Sequence, residues 1–170
     1  MTCQCIRFKM KIACISDTHI PGGMGMLPMA LYEGLKGADL ILHAGDITSL
    51  DVIEELKLIA PVEAVAGNMD GWEVARTLPE KKIVQAGRFR IGLIHGGGRV
   101  PGMEDRILKI FEEDNIDCLV YGHSHKANVE RRGNVLLVNP GSPTDRTWAQ
   151  YNSYAVIHAD DELSAEIIRL

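Results

Sequence analysis

The stretch LVYGHSHK, residues 119–126, decides which fold the rest of the chain must be tested against. A short apolar run that ends at a glycine predicts a buried strand, and two histidines follow it with one residue between them. Neutral imidazole is a common ligand of transition metals. His-x-His in an extended loop sends the two rings to opposite sides of the backbone, so one loop could serve two adjacent ions. The pair alone proves little, and other strand ends must supply matching ligands.

Four other predicted strands also lead directly into side chains that can bind a metal ion. Ligand sites in α/β sheets form at the carboxyl ends of the strands, so these side chains are expected at one rim. Each has an ordinary structural interpretation as a helix cap, a turn former or a core histidine. Their recurrence at five strand ends favours a shared metal site. The seven candidate ligands are Asp17, His19, Asp46, Asn68, His95, His123 and His125.

Strands and helices alternate through the first half of the chain, which favours an α/β fold with a parallel sheet covered by helices. Residues 72–79 are less regular. The predicted strands cover residues 10–16, 39–42, 62–66, 82–85, 89–94, 117–121, 126–131, 134–138, 153–158 and 163–170. The predicted helices cover residues 27–35, a segment from the capping pattern Thr48-x-x-Asp51 to Pro61, and 102–114 with Met103, Ile107, Ile110 and Phe111 facing inward.

The chain has 170 residues, 46% of them hydrophobic and 24% charged, which suits one globular domain. We expect a leader at residues 1–9, containing Cys3-x-Cys5, and a single domain at residues 10–170. The net charge of -5 argues against a general nucleic-acid binder. No stretch reaches the roughly 20 apolar residues of a membrane span, and no signal-peptide core is visible, so a cytoplasmic protein is predicted.

Four further side chains are expected to play supporting parts. Cys14 and Cys118 lie in apolar runs and are predicted to be core residues. His43 precedes Asp46 by three residues and is expected in the core or behind a ligand. His158 lies in a late strand far from the other motifs and is interpreted as structural.

Five motifs occur in a fixed order along the chain: Asp17-x-His19, Gly45-Asp46, Gly67-Asn68-x-Asp70, His95-Gly96 and Gly122-His123-x-His125. In this order they resemble those of the calcineurin-like metallophosphoesterases. The short length, the start at Met10-Lys11-Ile12 and the turn Asn139-Pro140-Gly141-Ser142 are similar to the compact YfcE-type branch. The resemblance covers residues 10–170 and implies a two-sheet α/β sandwich with flanking helices and a dinuclear metal site at one edge.

The resemblance also implies how the ligands divide between two divalent ions. One ion would take Asp17, His19, Asp46 and His125, and the other would take Asp46, Asn68, His95 and His123. Mixed imidazole and oxygen ligands suit Mn, Fe, Zn, Co or Ni better than Ca or Mg, and Mn is the first expectation. The implied activity is hydrolysis of a small phosphodiester by direct attack of a hydroxide that bridges both ions, with the Asn68 amide stabilising the phosphoryl oxygens.

One position departs from many members of that family. They carry a histidine directly after the Asn of the Gly-Asn motif, whereas this chain has Met69, whose thioether cannot donate a proton. We therefore expect slow hydrolysis of esters with basic alkoxide leaving groups and faster hydrolysis of aryl esters. Alternatively, Met69 only packs and another group supplies the proton. Asp70 could orient a water molecule or a ligand histidine for this purpose and is a candidate catalytic residue together with Asn68.

Two other functions fit the same sequence. A phosphomonoesterase would use the same ligands. A protein-binding scaffold would keep the fold without turnover, and in this it would resemble the retromer subunit that has this fold. All seven ligand positions hold ligand-capable residues, which favours the enzyme. Trp72, Arg99 and Trp148 could line an open site or pack on the surface. A homodimer is a further expectation.

Overall fold

In the computed structural model, residues 9–20 and 26–170 are described. The predicted leader, except Lys9, and part of the loop at residues 20–26 lie outside these ranges. The described strands are β1 Met10–Ile15, β2 Leu40–His43, β3 Val62–Ala64, β4 Lys81–Ala86, β5 Phe89–Ile94, β6 Cys118–Val120, β7 Asn128–Arg132, β8 Val135–Asn139, β9 Ser153–Ala159 and β10 Leu163–Arg169. The described helices are α1 Met29–Leu35, α2 Leu50–Lys57, α3 Trp72–Thr77 and α4 Met103–Ile110.

The strands form two five-stranded mixed sheets, in the orders β10-β9-β1-β2-β3 and β4-β5-β6-β8-β7. β1, β2 and β3 run parallel, and β9 and β10 complete that sheet in antiparallel pairing. β5, β6 and β8 run parallel in the second sheet, with antiparallel β4 and β7 at its edges. The predicted fold class, a two-sheet α/β sandwich, is confirmed.

β1 is buried on both faces because it lies between the second sheet and the helices. Ile12 and Cys14 join the apolar layer between the sheets, which also contains Leu93 of the second sheet. Ala13 and Ile15 face the opposite way, into a layer with residues of α1 and α2. A strand covered on both sides needs apolar residues throughout rather than alternation, which explains the continuous apolar run.

The second sheet has its own helix on its outer face. Met103 and Ile107 of α4 pack with Leu119 and Leu137 in a third apolar layer. The helix ends at Ile110, short of the predicted residue 114, and Ile110 is 49% exposed, so its predicted inward orientation is wrong. Ile110 is the last residue of the helix, whereas Phe111, directly after it, is buried in the same layer as predicted.

Two other local predictions need correction. The N-cap of α2 is Ser49, whose hydroxyl accepts from the backbone N–H of Asp51, so the helix does not start at the predicted Thr48. The hairpin between β7 and β8 turns at residues 133–134, one residue later than predicted. In addition, the segment predicted as irregular contains α3.

Two further features of the described residues concern the cysteines and the helices. Cys14 and Cys118 are free and fully buried, and burial raises the pKa of both thiols. Among residues 9–20 and 26–170, no helix has the length and apolar character needed to cross a bilayer.

Candidate metal centre

The loops that follow β1, β2, β3, β5 and β6 meet at one edge of the sandwich, and they bring all seven predicted ligands together. Hydrogen bonds hold loops of the two sheets to each other. The His123 backbone N–H donates to Asp17 Oδ2 over 3.1 Å, and the Gly122 N–H donates to the His95 carbonyl over 3.1 Å. The first contact joins the two sheets directly, so the ligand loops form one site.

The backbone of these loops is unusual. Seven non-glycine residues in the described ranges have positive φ, a conformation that L-residues seldom adopt. Six of them belong to the loops of this edge, and such backbone persists where the surrounding structure enforces it, commonly at functional sites. The six are Asp17, His19, Asp46, Thr48, His123 and His125.

Asp17, His19 and His125 form the first group of potential ligands. Asp17 is fully buried, and its Oδ1 lies 3.2 Å from His125 Nε2 and 3.9 Å from His19 Nε2. The two histidine Nε2 atoms are 3.3 Å apart. Asp17 Oδ2 is held by the Ser16 hydroxyl at 2.6 Å, whereas Oδ1 accepts no well-aligned hydrogen bond despite its burial.

Asp46, His95, Asn68 and His123 form the second group. Asp46 Oδ2 lies 3.2 Å from His95 Nε2 and 3.6 Å from His19 Nε2, so this carboxylate faces both groups. Asn68 Oδ1 lies 3.1 Å from His95 Nε2 and 2.8 Å from His123 Nδ1. The other oxygen of Asp46 accepts the Met69 backbone N–H at 2.7 Å, which fixes the rotation of the carboxylate.

His95 and His123 are each oriented by a backbone carbonyl on the side away from the cluster. His95 Nδ1 lies 2.7 Å from the Ala44 carbonyl, and His123 Nε2 lies 3.0 Å from the Gly98 carbonyl. A carbonyl can only accept, so these nitrogens carry the hydrogen and the other ring nitrogen faces the cluster. Histidine ligands of metals are usually held in this way.

Asp145 holds His125 and was missed by sequence reasoning. Its Oδ2 lies 2.7 Å from His125 Nδ1, and the carboxylate also accepts three backbone N–H groups, those of Thr147, Trp148 and Ala149, at 2.7–2.8 Å. These bonds and His125 lower the pKa of Asp145 despite partial burial. Asp145 does not directly follow a strand, since β8 ends at Asn139, so the strand-end rule that selected the other candidates does not select it.

Charge is strongly coupled within the cluster. Burial lowers the pKa of His125, but the adjacent carboxylates of Asp17 and Asp145 outweigh it and raise the pKa to about 9. Burial also opposes charge on Asp46 and His95, yet their mutual hydrogen bond lowers the pKa of Asp46 and raises that of His95. Without metal, the cluster therefore favours protonated His95 and His125 beside ionised carboxylates, so the carboxylates favour positive charge at this position.

His43 lies behind the cluster, as predicted. The Gly45 N–H donates to its Nδ1, so Nε2 carries the hydrogen and donates to Thr18 Oγ1 over 3.1 Å. Complete burial, with the charge of nearby histidines, lowers the pKa of His43 to about 3 against the opposing pull of Asp17 and Asp46. His43 is thus a neutral support for the loop after β1. His158 pairs with Glu166 at 3.3 Å on β10, which agrees with its structural interpretation.

Met69 and Asp70 occupy different environments. Met69 is 62% exposed at the mouth of the cluster. Asp70 accepts the Thr48 N–H at 2.6 Å on one oxygen and the Gly67 N–H at 2.7 Å on the other. Its described hydrogen bonds therefore join two loops rather than orient a ligand histidine, and a catalytic role for Asp70 stays a prediction.

The donor set fits a divalent transition metal. Within each of two triads, one atom per residue lies within 4.8 Å of the others: Asp17, His19 and His125 in one, and Asp17, Asp46 and His95 in the other. Asp17 Oδ1, a buried carboxylate oxygen without a well-aligned donor, is the strongest indication, because such an atom is costly unless a cation compensates it.

Open cavities border the cluster. One of about 600 Å³ is bounded by His19 and His125 on one side and by Arg146 and Trp148 on the other. A second, of about 350 Å³, lies over Asn68 and Met69. Trp148 borders both, as well as a third cavity beside Lys126, whereas neither Trp72 nor Arg99 borders any of these three.

Comparisons with known proteins point in one direction. The family model described as the calcineurin-like phosphoesterase superfamily domain matches residues 10–162. A probable metallophosphoesterase of Methanothermobacter thermautotrophicus is 40% identical over 161 residues, which cover 94% of this chain and 92% of that protein. Another from Methanocaldococcus jannaschii is 36% identical over 160 residues, which cover 94% and 81%. The structure of vacuolar protein sorting 29 from Cryptosporidium parvum superposes with a TM-score of 0.77 at 26% identity, covering 96% and 100%.

Proposed function

The chain belongs to the calcineurin-like phosphoesterase superfamily, and from this membership we propose that it is a metal-dependent phosphodiesterase. The observation that carries the proposal is that the seven candidate ligands meet at one edge and that five of them form two triads sharing Asp17, whose buried Oδ1 has no well-aligned hydrogen-bond donor. Its probable metallophosphoesterase relatives support a phosphoester hydrolase, and the preference for diesters is our own inference.

We propose that Asp17, His19, Asp46 and His125 hold one ion and that Asp46, Asn68, His95 and His123 hold the other. Asp46 is the shared ligand because its Oδ2 faces both His95 and His19. Divalent ions bound there supply Lewis acidity and activate water at neutral pH. Manganese is the ion we would test first, since the mixed nitrogen and oxygen ligands suit transition metals.

The residues at the mouth of the site support a preference for esters with good leaving groups. Asn68 is exposed there, and its amide nitrogen can donate to a phosphoryl oxygen while Oδ1 faces His95 and His123. Met69 is exposed beside it and offers no proton to a leaving group. Esters whose leaving group is already a weak base, such as aryl esters, are therefore the expected substrates.

The test is hydrolysis of bis(p-nitrophenyl) phosphate, p-nitrophenyl phosphate and ethyl p-nitrophenyl phosphate with added Mn²⁺. We expect Mn²⁺-dependent release of nitrophenol, faster from the diesters than from the monoester. Asp46→Asn should lose most of the activity, and Asp51→Asn, an exposed change on α2, should retain it. Faster hydrolysis of the monoester would make the protein a phosphomonoesterase.

A protein-binding scaffold is the second candidate, and the likeness to vacuolar protein sorting 29 is the observation that favours it. The two candidates differ in one measurement. If no transition metal supports hydrolysis of any of the three esters, although calorimetry detects bound metal, the scaffold replaces the enzyme.

A further inference from the structure

We propose that the 600 Å³ cavity beside His19 and His125 binds a planar aromatic group that stays on the phosphate when the ester is hydrolysed, stacked on the indole of Trp148. The inference rests on the proposed phosphodiesterase function and adds a substrate class to it. Nucleobases and simple aryl rings share the required chemistry, so both are included and the experiment separates them.

The cavity has the size and position for one substituent of a phosphodiester. Its volume lies within the range of about 300–1,000 Å³ that is usual for small-molecule sites. His19 and His125 form the wall nearest the cluster, and Trp148 and Met26 supply apolar surface. A phosphoryl group held at the histidines would therefore place its ester substituent against Trp148.

Trp148 is an unusual side chain to leave in solvent. The chain has 2 tryptophans, and the side chain of Trp148 is 73% exposed. Large aromatic side chains are mostly buried, and an exposed one beside a cavity commonly contacts a ligand. Stacking of a base on an aromatic side chain contributes about 1–3 kcal/mol by alanine substitution.

The backbone of Trp148 is fixed relative to the candidate metal centre. Its N–H donates to Asp145 Oδ2 over 2.8 Å, and the same oxygen lies 2.7 Å from His125 Nδ1. Thr144 Oγ1, in the same segment, donates to the Thr18 carbonyl over 2.7 Å. One carboxylate thus connects a candidate metal ligand to the backbone of the residue that carries the aromatic platform.

The charge of the cavity also suits a nucleotide-like or aryl ester. Among the described residues that line it, Arg146 is the one lysine or arginine and is exposed next to Trp148, and the one carboxylate, Asp145, is already paired with His125. A guanidinium can stack on a planar ring or pair with a phosphate oxygen. Thr18 and Thr144 supply polar groups at the remaining wall.

Trp72 provides a matched control because it is equally exposed but lies elsewhere. It is 75% exposed at the start of α3 and borders none of the three described cavities. If exposure of an indole alone affected catalysis or binding, changes at Trp72 and Trp148 would have similar effects.

The kinetic experiment uses three p-nitrophenyl diesters that differ in the retained group: methyl, phenyl and thymidine. Trp148→Ala should lower kcat/KM by about 5- to 150-fold on the thymidine ester, on the phenyl ester or on both, and leave the methyl ester unchanged. Trp148→Phe should retain most of the activity, and Trp72→Ala should match wild type on all three. A loss confined to the thymidine ester identifies a nucleobase, and a loss on both identifies any planar ring. An equal loss on the methyl ester, or no loss, would overturn the proposal.

A binding measurement separates this inference from the proposed function. Trp72→Phe leaves Trp148 as the single tryptophan, so fluorescence reports on the cavity. We expect saturable quenching of that variant, loaded with Mn²⁺, by adenosine monophosphate or phenyl phosphate, and none by methyl phosphate. Unchanged fluorescence with every ligand sinks the cavity proposal even if diesters are hydrolysed. Quenching without hydrolysis of any ester would instead reject the enzyme and keep the binding site.

Discussion

Replacing Asp145 with Asn should flatten the dependence of stability on alkaline pH in the metal-free protein. The carboxylate lies 2.7 Å from His125 Nδ1 and, together with Asp17, raises the pKa of His125 from its ordinary value of 6.5 to about 9. Because the pKa is higher in the folded state than in the unfolded state, protonation of His125 contributes its full stabilisation at pH values below the unfolded-state pKa. This contribution is lost as the pH rises from about 6.5 through about 9.

The difference between a pKa of 6.5 and one of about 9 corresponds to roughly 3 kcal/mol. Two carboxylates produce it, so removing Asp145 should abolish about half, or on the order of 1.5 kcal/mol. His95, whose pKa is also raised, contributes equally to both proteins because its partner is Asp46, and it cancels in the comparison.

The assay is urea unfolding with a chelator present, at about pH 6 and about pH 9.5, for wild type and Asp145→Asn. Wild type should lose more stability between the two pH values than the variant does. Glu166→Gln is the control, because it removes an exposed partner of His158 and such pairs contribute little. The same loss in wild type and Asp145→Asn would refute the coupling of Asp145 to His125.

Three further predictions concern the supporting structure. A Cβ at Gly67 would overlap the carboxylate and backbone nitrogen of Asp46, so Gly67→Ala should cost about 1–3 kcal/mol and reduce Mn²⁺-dependent activity. Gly71→Ala meets open space and should change the urea midpoint little. The pKa of buried His43 is lowered to about 3, so acidification from about pH 6.5 to about pH 4.5 should cost the metal-free protein about 2.3 kcal/mol through this group. His43→Gln should therefore show a smaller fall in Tm over that range, and an unchanged fall would contradict the assignment. Chelation should lower Tm, by an amount equivalent to about 2.7 kcal/mol when free metal had been 100-fold above Kd, and calorimetry with and without chelator measures it.

Residues that directly follow a strand could be predicted from the sequence, whereas residues whose role depends on tertiary contacts could not. The apolar run of β1 and the motif loops after it are local signals, so the seven ligands could be placed at one edge without coordinates. Asp145 could not be recognised in the same way, because its meaning comes from His125, 20 residues away in the chain. Ile110 was misassigned because helical periodicity alone does not show how wide the buried face of a helix is, and Ile110 is exposed although Ile107 and Phe111 are buried.

The local errors have similar causes. Thr48 and Ser49 are both good N-caps by residue type, and only the positive φ of Thr48 excludes it from that role. Asp70 has a carboxylate in the right motif for chemistry, yet its contacts are with the backbone of two loops. Residue type alone cannot distinguish a carboxylate that reacts from one that braces a loop.

The division of the ligands between the two sheets has a mechanical consequence. The loops of one sheet carry Asp17 and Asp46, and the loops of the other carry His95 and His125. An ion bound by ligands from both sheets would cross-link the sheets at that edge, so they could not separate there until metal coordination was lost. The availability of metal would then determine the resistance of the fold to unfolding as well as the rate of hydrolysis.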